Sequence, residues 1–164
     1  MHSLIINNND INGDAKEILE NFTPITGTWS EVANYCSKVG NGLVTIHSIY
    51  ENDIVTEVAS PALPPNEMNI TIAWVFIGLN RFNDGKYYWN DGSVLNYTNW
   101  NPFQPNSDAP FVALNPKGGR IEITGTEHAD EFVKGMWDDL RPNHGPNGTG
   151  PQVNIAGICQ KPFF

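Results

Sequence analysis

Carboxylates and amides are the chemically capable side chains of this sequence, and their spacing says more than their number. Asp10, Asn12 and Asp14 alternate as oxygen ligands do at the start of an EF-hand loop. Ala15, however, stands where that loop needs glycine, and Asn21 where it needs a bidentate glutamate. Asn80, Asn83 and Asp84 offer oxygens to a cation, but Asn-Asp-Gly is first of all the composition of a tight turn. Glu122, Glu127, Asp130 and Glu131 would suit paired-carboxylate glycoside chemistry only if buried at a defined separation, and their polar surroundings predict a solvated acidic loop. The histidines His2, His47, His128 and His144 show neither His-Glu-x-x-His nor zinc-finger spacing, and His47 in its apolar run reads as a hydrogen-bonded core group. No Gly-x-Ser-x-Gly or phosphate loop occurs, and Lys117-Gly118-Gly119-Arg120 reads as a basic turn. These patterns point away from an enzyme.

The formal net charge of -9, with nine Lys and Arg residues scattered singly, argues against a nucleic-acid partner. An acidic surface draws cations, which makes divalent metal binding a fair question. No apolar run approaches the ~20 residues of a membrane span, so membrane insertion is not expected. Sequons begin at Asn21, Asn69, Asn96 and Asn147, which fits an exported protein. The polar, Asn-rich start lacks the regions of a secretory signal, so any export signal is expected to lie outside these residues. Cys36 and Cys159 are far apart; they are either two buried thiols or a staple that in the chain-entropy model stabilises by about 4 to 5 kcal/mol.

These groups need a frame. Residues 1–21 lack periodicity and read as an Asn/Asp-rich arm or linker ahead of one domain over 22–164. Thr28-Trp29-Ser30-Glu31 has the form of a capping box, and Trp29, Val32, Ala33 and Cys36 follow at helical spacing until Gly40 and Gly42 stop the helix. Gly42 to His47 is β-rich. Ser48-Ile49-Tyr50-Glu51 repeats the box before a second helix to about Ala59, ended by Pro61, Pro64 and Pro65. Beyond it, short apolar and aromatic runs alternate with Asn, Gly, Asp and Pro clusters, which predicts strands joined by long loops, among them 115–135 and 142–151. The class is α+β.

Trp29-x6-Cys36, Leu43-Val44-Thr45-Ile46, Glu51, Phe76-Ile77-Gly78-Leu79, Trp89-x-Asp91-Gly92-Ser93, Asn99-Trp100, Gln104-Pro105-Asn106, Trp137-Asp138-Asp139 and Ile158-Cys159 follow one another in an order that resembles the C-type lectin-like domain, over about Phe22 to Pro162. The resemblance implies a C-type lectin-like fold with two helices, antiparallel sheets and a long calcium-binding loop region, a Cys36–Cys159 disulfide, and a cis bond before Pro105. It implies that calcium is held by the amide oxygens of Gln104 and Asn106 and the carboxylates of Asp138 and Asp139. Ala109 occupies the place of the family's further glutamate, so Asp108 is taken as its substitute. Sugar contacts fall to Gln104, Asn106, Asp108 and Asp138, with Phe103 and His144 as rings for stacking; Trp100 and Trp137 are assigned to the core.

The implied function is calcium-dependent binding of sugar vicinal hydroxyls, in adhesion or glycan recognition at an extracellular or cell-surface location. The rival is a lectin-like domain that binds protein or ice without sugar. Oligomeric state is left open. There are departures from the family pattern. Phe111 stands at the first cysteine of its usual second disulfide, no cysteine follows Trp137-Asp138-Asp139, and an insertion separates Leu114 from Trp137. Gln104-Pro105-Asn106 is a hybrid of the family's mannose- and galactose-type loops, so mannose, galactose and fucose all stay open.

Overall fold

The computed structural model describes residues 4–6, 28–60, 73–122, 129–140 and 154–160. Helix α1, Trp29–Val39, starts as its box predicts: the Thr28 hydroxyl accepts from the Glu31 amide, and the Glu31 carboxylate accepts from the Thr28 amide at 2.8 Å. That backbone bond, with the Thr28 hydroxyl, holds the Glu31 carboxyl below its usual range. Helix α2, Ile49–Ala59, has only half of its box. Ser48 Oγ accepts from the Glu51 amide at 3.1 Å, but the Glu51 carboxylate reaches one residue further back, to the His47 N–H at 2.6 Å. His47 also ties α2 to the loop after β3 (Tyr87–Trp89), with Nδ1 3.0 Å from Asn96 Oδ1 and Nε2 3.2 Å from Ser93 Oγ.

The strands are β1 (Leu4–Ile6), β2 (Ala73–Arg81), β3, β4 (Phe111–Leu114), β5 (Gly119–Glu122), β6 (Ala129–Phe132), β7 (Trp137–Leu140) and β8 (Asn154–Gln160). The main sheet runs β1-β8-β2-β4-β7, with β3 also paired to β2. The antiparallel meander β3-β2-β4-β7 is extended by β8 and β1, both in parallel pairings. Leu4–Ile6, within the stretch read as an arm, thus add an edge strand to the sheet.

Alternation along the strands gives the sheet two apolar faces. On one, Val75, Ile77, Leu79, Val112, Leu114, Trp137 and Ile158 pack with Val55, Val58 and Ala59 of α2. On the other, Trp74, Phe76, Ala113, Phe132 and Leu140 pack with Val32 and Cys36 of α1. Cys36 is bonded to Cys159 across 123 residues of sequence, so the staple exists. Helix α1 lies so close to β8 that a Cβ on Gly157 would meet Val32 Cγ1 at 1.9 Å. Phe111, at the missing cysteine position, stacks on Trp29 with ring centroids 4.6 Å apart, so an aromatic contact joins α1 to β4.

The insertion departs from the extended loop expected over 115–135. Its ends pair as the antiparallel hairpin β5–β6, which satisfies backbone groups that a loop would leave to water. Phe132 anchors it, nearly buried and edge-on to Trp74 with centroids 5.2 Å apart. Asn115 starts the turn, its Oδ1 accepting from the Lys117 and Gly118 amides. The acidic residue Glu127, with His128, lies outside the described residues, as do Asp10, Asn12, Asp14, Asn21, Asn69, Asn147 and residues 142–151.

Trp137 is fully buried, ringed by Trp89, Tyr97 and Trp100 at 5.7 to 5.9 Å, and its indole N–H donates to Asn52 Oδ1 at 2.7 Å. Asn52 Nδ2 in turn donates to the Gly135 carbonyl. Asn52→Leu strands the indole N–H in an apolar interior and is expected to lower urea-unfolding stability by about 2 kcal/mol, followed by tryptophan fluorescence. An unchanged midpoint would contradict this role.

Candidate functional site

The chain between β3 and β4 is carried to β7 by backbone bonds on Trp137. Its amide donates to the Asn99 carbonyl and its carbonyl accepts from the Asn101 amide, both at 2.8 Å. Buried Asn101 also accepts from the Val133 amide at its Oδ1, which ties this loop to the base of the insertion. Next comes a tight turn. The Gln104 amide donates to the Asn101 carbonyl at 2.9 Å, Pro102 and Phe103 form the corner, and Phe103 has φ 69°. The Gln104–Pro105 bond is cis, as the resemblance implies.

Beyond Pro105 the polar groups converge. The Asn106 amide donates to both Gln104 Oε1 and Asp139 Oδ1, each at 3.0 Å. Asp139 Oδ2 accepts from the Ser107 amide at 3.2 Å and the Ser107 hydroxyl at 2.5 Å, and Ser107 Oγ accepts from the Ala109 amide. A carboxylate buried to 6 % exposure is thereby matched by loop donors, the requirement for keeping such a group inside.

Of the side chains expected to act together, the structure joins Gln104, Asn106 through its backbone, and Asp139. Asp108 is exposed on the loop. Asp138 is buried, and strand alternation puts it opposite Ala113 on the α1 face, while Asp139 opposite Val112 shares the α2 face with Trp137. Among the described residues no three His, Cys, Asp or Glu side chains gather as a metal-holding group. The donor types nonetheless suit a hard cation: two oxygens from different segments face one N–H, and a carboxylate with about four acceptor positions still has one beyond its three donors. Trp137 is core, as assigned, and half-buried Trp100 packs against that core. Phe103 stands in solvent, and His144 lies outside the described residues.

Asp84 behaves as a turn residue. Its carboxylate accepts from the Tyr88 hydroxyl at 2.7 Å and the Lys86 amide at 3.0 Å, and these bonds, the hydroxyl first, hold it below its usual range. Two participants escaped sequence reasoning. Ser107 had a signal, a hydroxyl next to the Gln-Pro-Asn run. Tyr87 had none: its ring leans on Trp100 at 5.1 Å, and its hydroxyl is buried with no hydrogen-bond partner among the described residues. Burial first, then the Asp139 charge, pushes the Tyr87 hydroxyl up to about 12.

A family model described as the lectin C-type domain matches residues 25–132. A lectin of Pleurodeles waltl is 32% identical over 88 residues, 52% of this chain and 48% of that protein. C-type mannose receptor 2 of Homo sapiens is 31% identical over 135 residues, 82% of this chain and 7% of that protein. The chain therefore spans less than half the length of these relatives. Among solved structures, an SPL-1 complex with GlcNAc superposes with a TM-score of 0.53 at 21% identity, covering 74% of this chain and 75% of that one. The cow carbohydrate-recognition domain of CD23, in the presence of GlcNAc2Man3 oligosaccharide, does so with a TM-score of 0.50 at 23% identity, covering 74% and 75%. At these identities the structures speak for the fold.

Tyr87 gives an optical and thermodynamic check on the site. The folded state holds its proton more tightly than an unfolded chain, where tyrosine ionises near 10. Its contribution to stability is therefore complete below pH 10 and is lost as pH rises from 10 towards 12. Tyr87→Phe is expected to reduce the alkaline loss of urea stability across that window; an identical profile would contradict the burial of this hydroxyl beside Asp139.

Proposed function

The chain belongs to the lectin C-type domain family, and we propose that it binds vicinal hydroxyls of a sugar, through calcium, on the face formed by Gln104-Pro105-Asn106 and the β7 strand. The observation that carries this reading is the meeting of Gln104 Oε1 and Asp139 Oδ1 at one backbone amide. When bound, calcium supplies a hard centre with 6 to 8 oxygen places, some of which neighbouring hydroxyls can fill. The residues that would hold it are Gln104, Asn106 and Asp139, joined by Asp108 from the exposed loop and Asp138 from the second position of β7, on the opposite face of the sheet from Asp139. Asp108 and Asp138 complete the set only by moving toward Asp139.

The donor types also orient the sugar. A carboxylate only accepts, so Asp108 and Asp138 take hydroxyl protons, whereas the amides of Gln104 and Asn106 both donate and accept. Two amides on one side and carboxylates on the other are compatible with mannose-, galactose- or fucose-type hydroxyl pairs. Phe103 and His144 are proposed to flank the sugar. The lectin relative and the oligosaccharide in the CD23 structure support a carbohydrate or glycoconjugate as partner. Among the described residues no helix is long and apolar enough to cross a membrane, and we place the domain outside the cell or on its surface, in adhesion or glycan recognition, as a binding module without catalysis. One observation favours a second reading, a lectin-like surface for protein without sugar: Asp139 is already engaged by three donors of its own loop.

Differential scanning calorimetry with calcium, followed by titration with methyl glycosides of mannose, galactose and fucose, separates the two. Calcium at 100 times its dissociation constant is expected to add about 2.7 kcal/mol of stability, and at least one glycoside to bind only in its presence. Asp139→Ala is expected to abolish both effects. Stabilisation by calcium with no glycoside bound at millimolar concentration would overturn sugar recognition and favour the protein-binding reading.

A further inference from the structure

Phe103 is 95% exposed, the most exposed of the large apolar side chains among the described residues. It is also the one non-glycine described residue with positive φ, at 69°. Both facts follow from the turn it occupies. The Gln104 amide closes a four-residue turn on the Asn101 carbonyl, with Pro102 at the second position and Phe103 at the third. Proline fixes its own φ near -65°, which excludes the primed turns that need a positive φ there. A positive φ at the third position then makes this a type II turn, whose third residue is ordinarily glycine or asparagine. A bulky side chain is strained in that conformation. Burial does not offset the strain, because the ring stands in solvent, and among the described residues no other aromatic ring lies against it. Glycine would satisfy the turn without strain, so the ring serves something outside the chain.

Its place narrows what that is. Phe103 is bonded directly to Gln104, whose side-chain oxygen faces the amide it shares with Asp139. Anything held at that pair of oxygens by its hydroxyls therefore sits one residue along the loop from the ring. Tight flanks add to this: Pro102 precedes the ring, Pro105 follows two residues on, and Asn101 is buried and bonded to β7, so the ring projects from a fixed base. An aromatic ring presented this way suits an apolar face rather than another hydroxyl.

Resting on the sugar-binding reading above, we propose that Phe103 is a specificity-determining contact for what is attached to the bound sugar. It packs on the apolar C–H face of a second saccharide unit or on an aryl group in the same position. The site then selects extended glycans or aryl glycosides over the lone monosaccharide.

Isothermal titration in calcium with three probes built on one sugar tests this: its methyl glycoside, its phenyl glycoside and a disaccharide ending in it. Wild type is expected to bind the disaccharide, the phenyl glycoside or both about three- to tenfold more tightly than the methyl glycoside. The disaccharide arm reports a C–H face, and the phenyl arm an aryl group. Phe103→Gly is expected to erase that gain, so that the disaccharide and the phenyl glycoside bind no more tightly than the methyl glycoside, and to leave the melting temperature equal or higher; Phe103→Trp keeps the gain. Should Phe103→Gly retain the preference, this inference falls while sugar binding stands. Should wild type bind none of the probes, the sugar-binding reading fails and this one with it.

Discussion

The buried indole of Trp137 governs the geometry of this protein. Its ring fills the centre of an aromatic cluster, its N–H is accepted by Asn52 of α2, and its backbone amide and carbonyl hold Asn99 and Asn101. A side chain of that size, matched at every polar atom, cannot slip by one residue without exposing its ring and orphaning its N–H. Fixing Trp137 fixes the two aspartates after it and the start of the loop that meets them.

From that anchor the site is built by satisfaction of charge. Asp139 sits where a carboxylate needs donors, and the chain supplies them from Asn106 and Ser107, so the loop is held in the absence of the second disulfide usual in this family. On the opposite side of the sheet, stacking of Phe111 on Trp29 provides a noncovalent tie between helix and strand. The one covalent staple, Cys36–Cys159, joins α1 to the last described strand rather than to the loops. The loop region therefore rests on hydrogen bonds and ring packing.

The helices were legible because caps are local: Thr28 and Ser48 act within one turn of their own amides. The cysteine pairing and the lectin-type core came from the order of motifs that individually say little. The hairpin of the insertion was not legible, since Gly119–Glu122 and Ala129–Phe132 are too short and polar to show a strand period, and only the burial of Phe132 marks them as packed. Reading Asp138 and Asp139 as one ligand pair came from the family resemblance. In a strand, adjacency means opposite faces, a consequence visible only once the register with Val112 and Ala113 is known. Tyr87 likewise acquires meaning only through its distant neighbours.

On the proposed reading, Gln104 and Asp139 share one hard cation that keeps coordination places open to solvent. The most direct measurement is anomalous diffraction from crystals soaked in calcium together with a bound glycoside. A single peak is expected at about 2.3 to 2.6 Å from both side-chain oxygens, with two sugar hydroxyls completing its shell. A peak elsewhere, or one at this loop enclosed wholly by protein oxygens, would contradict it.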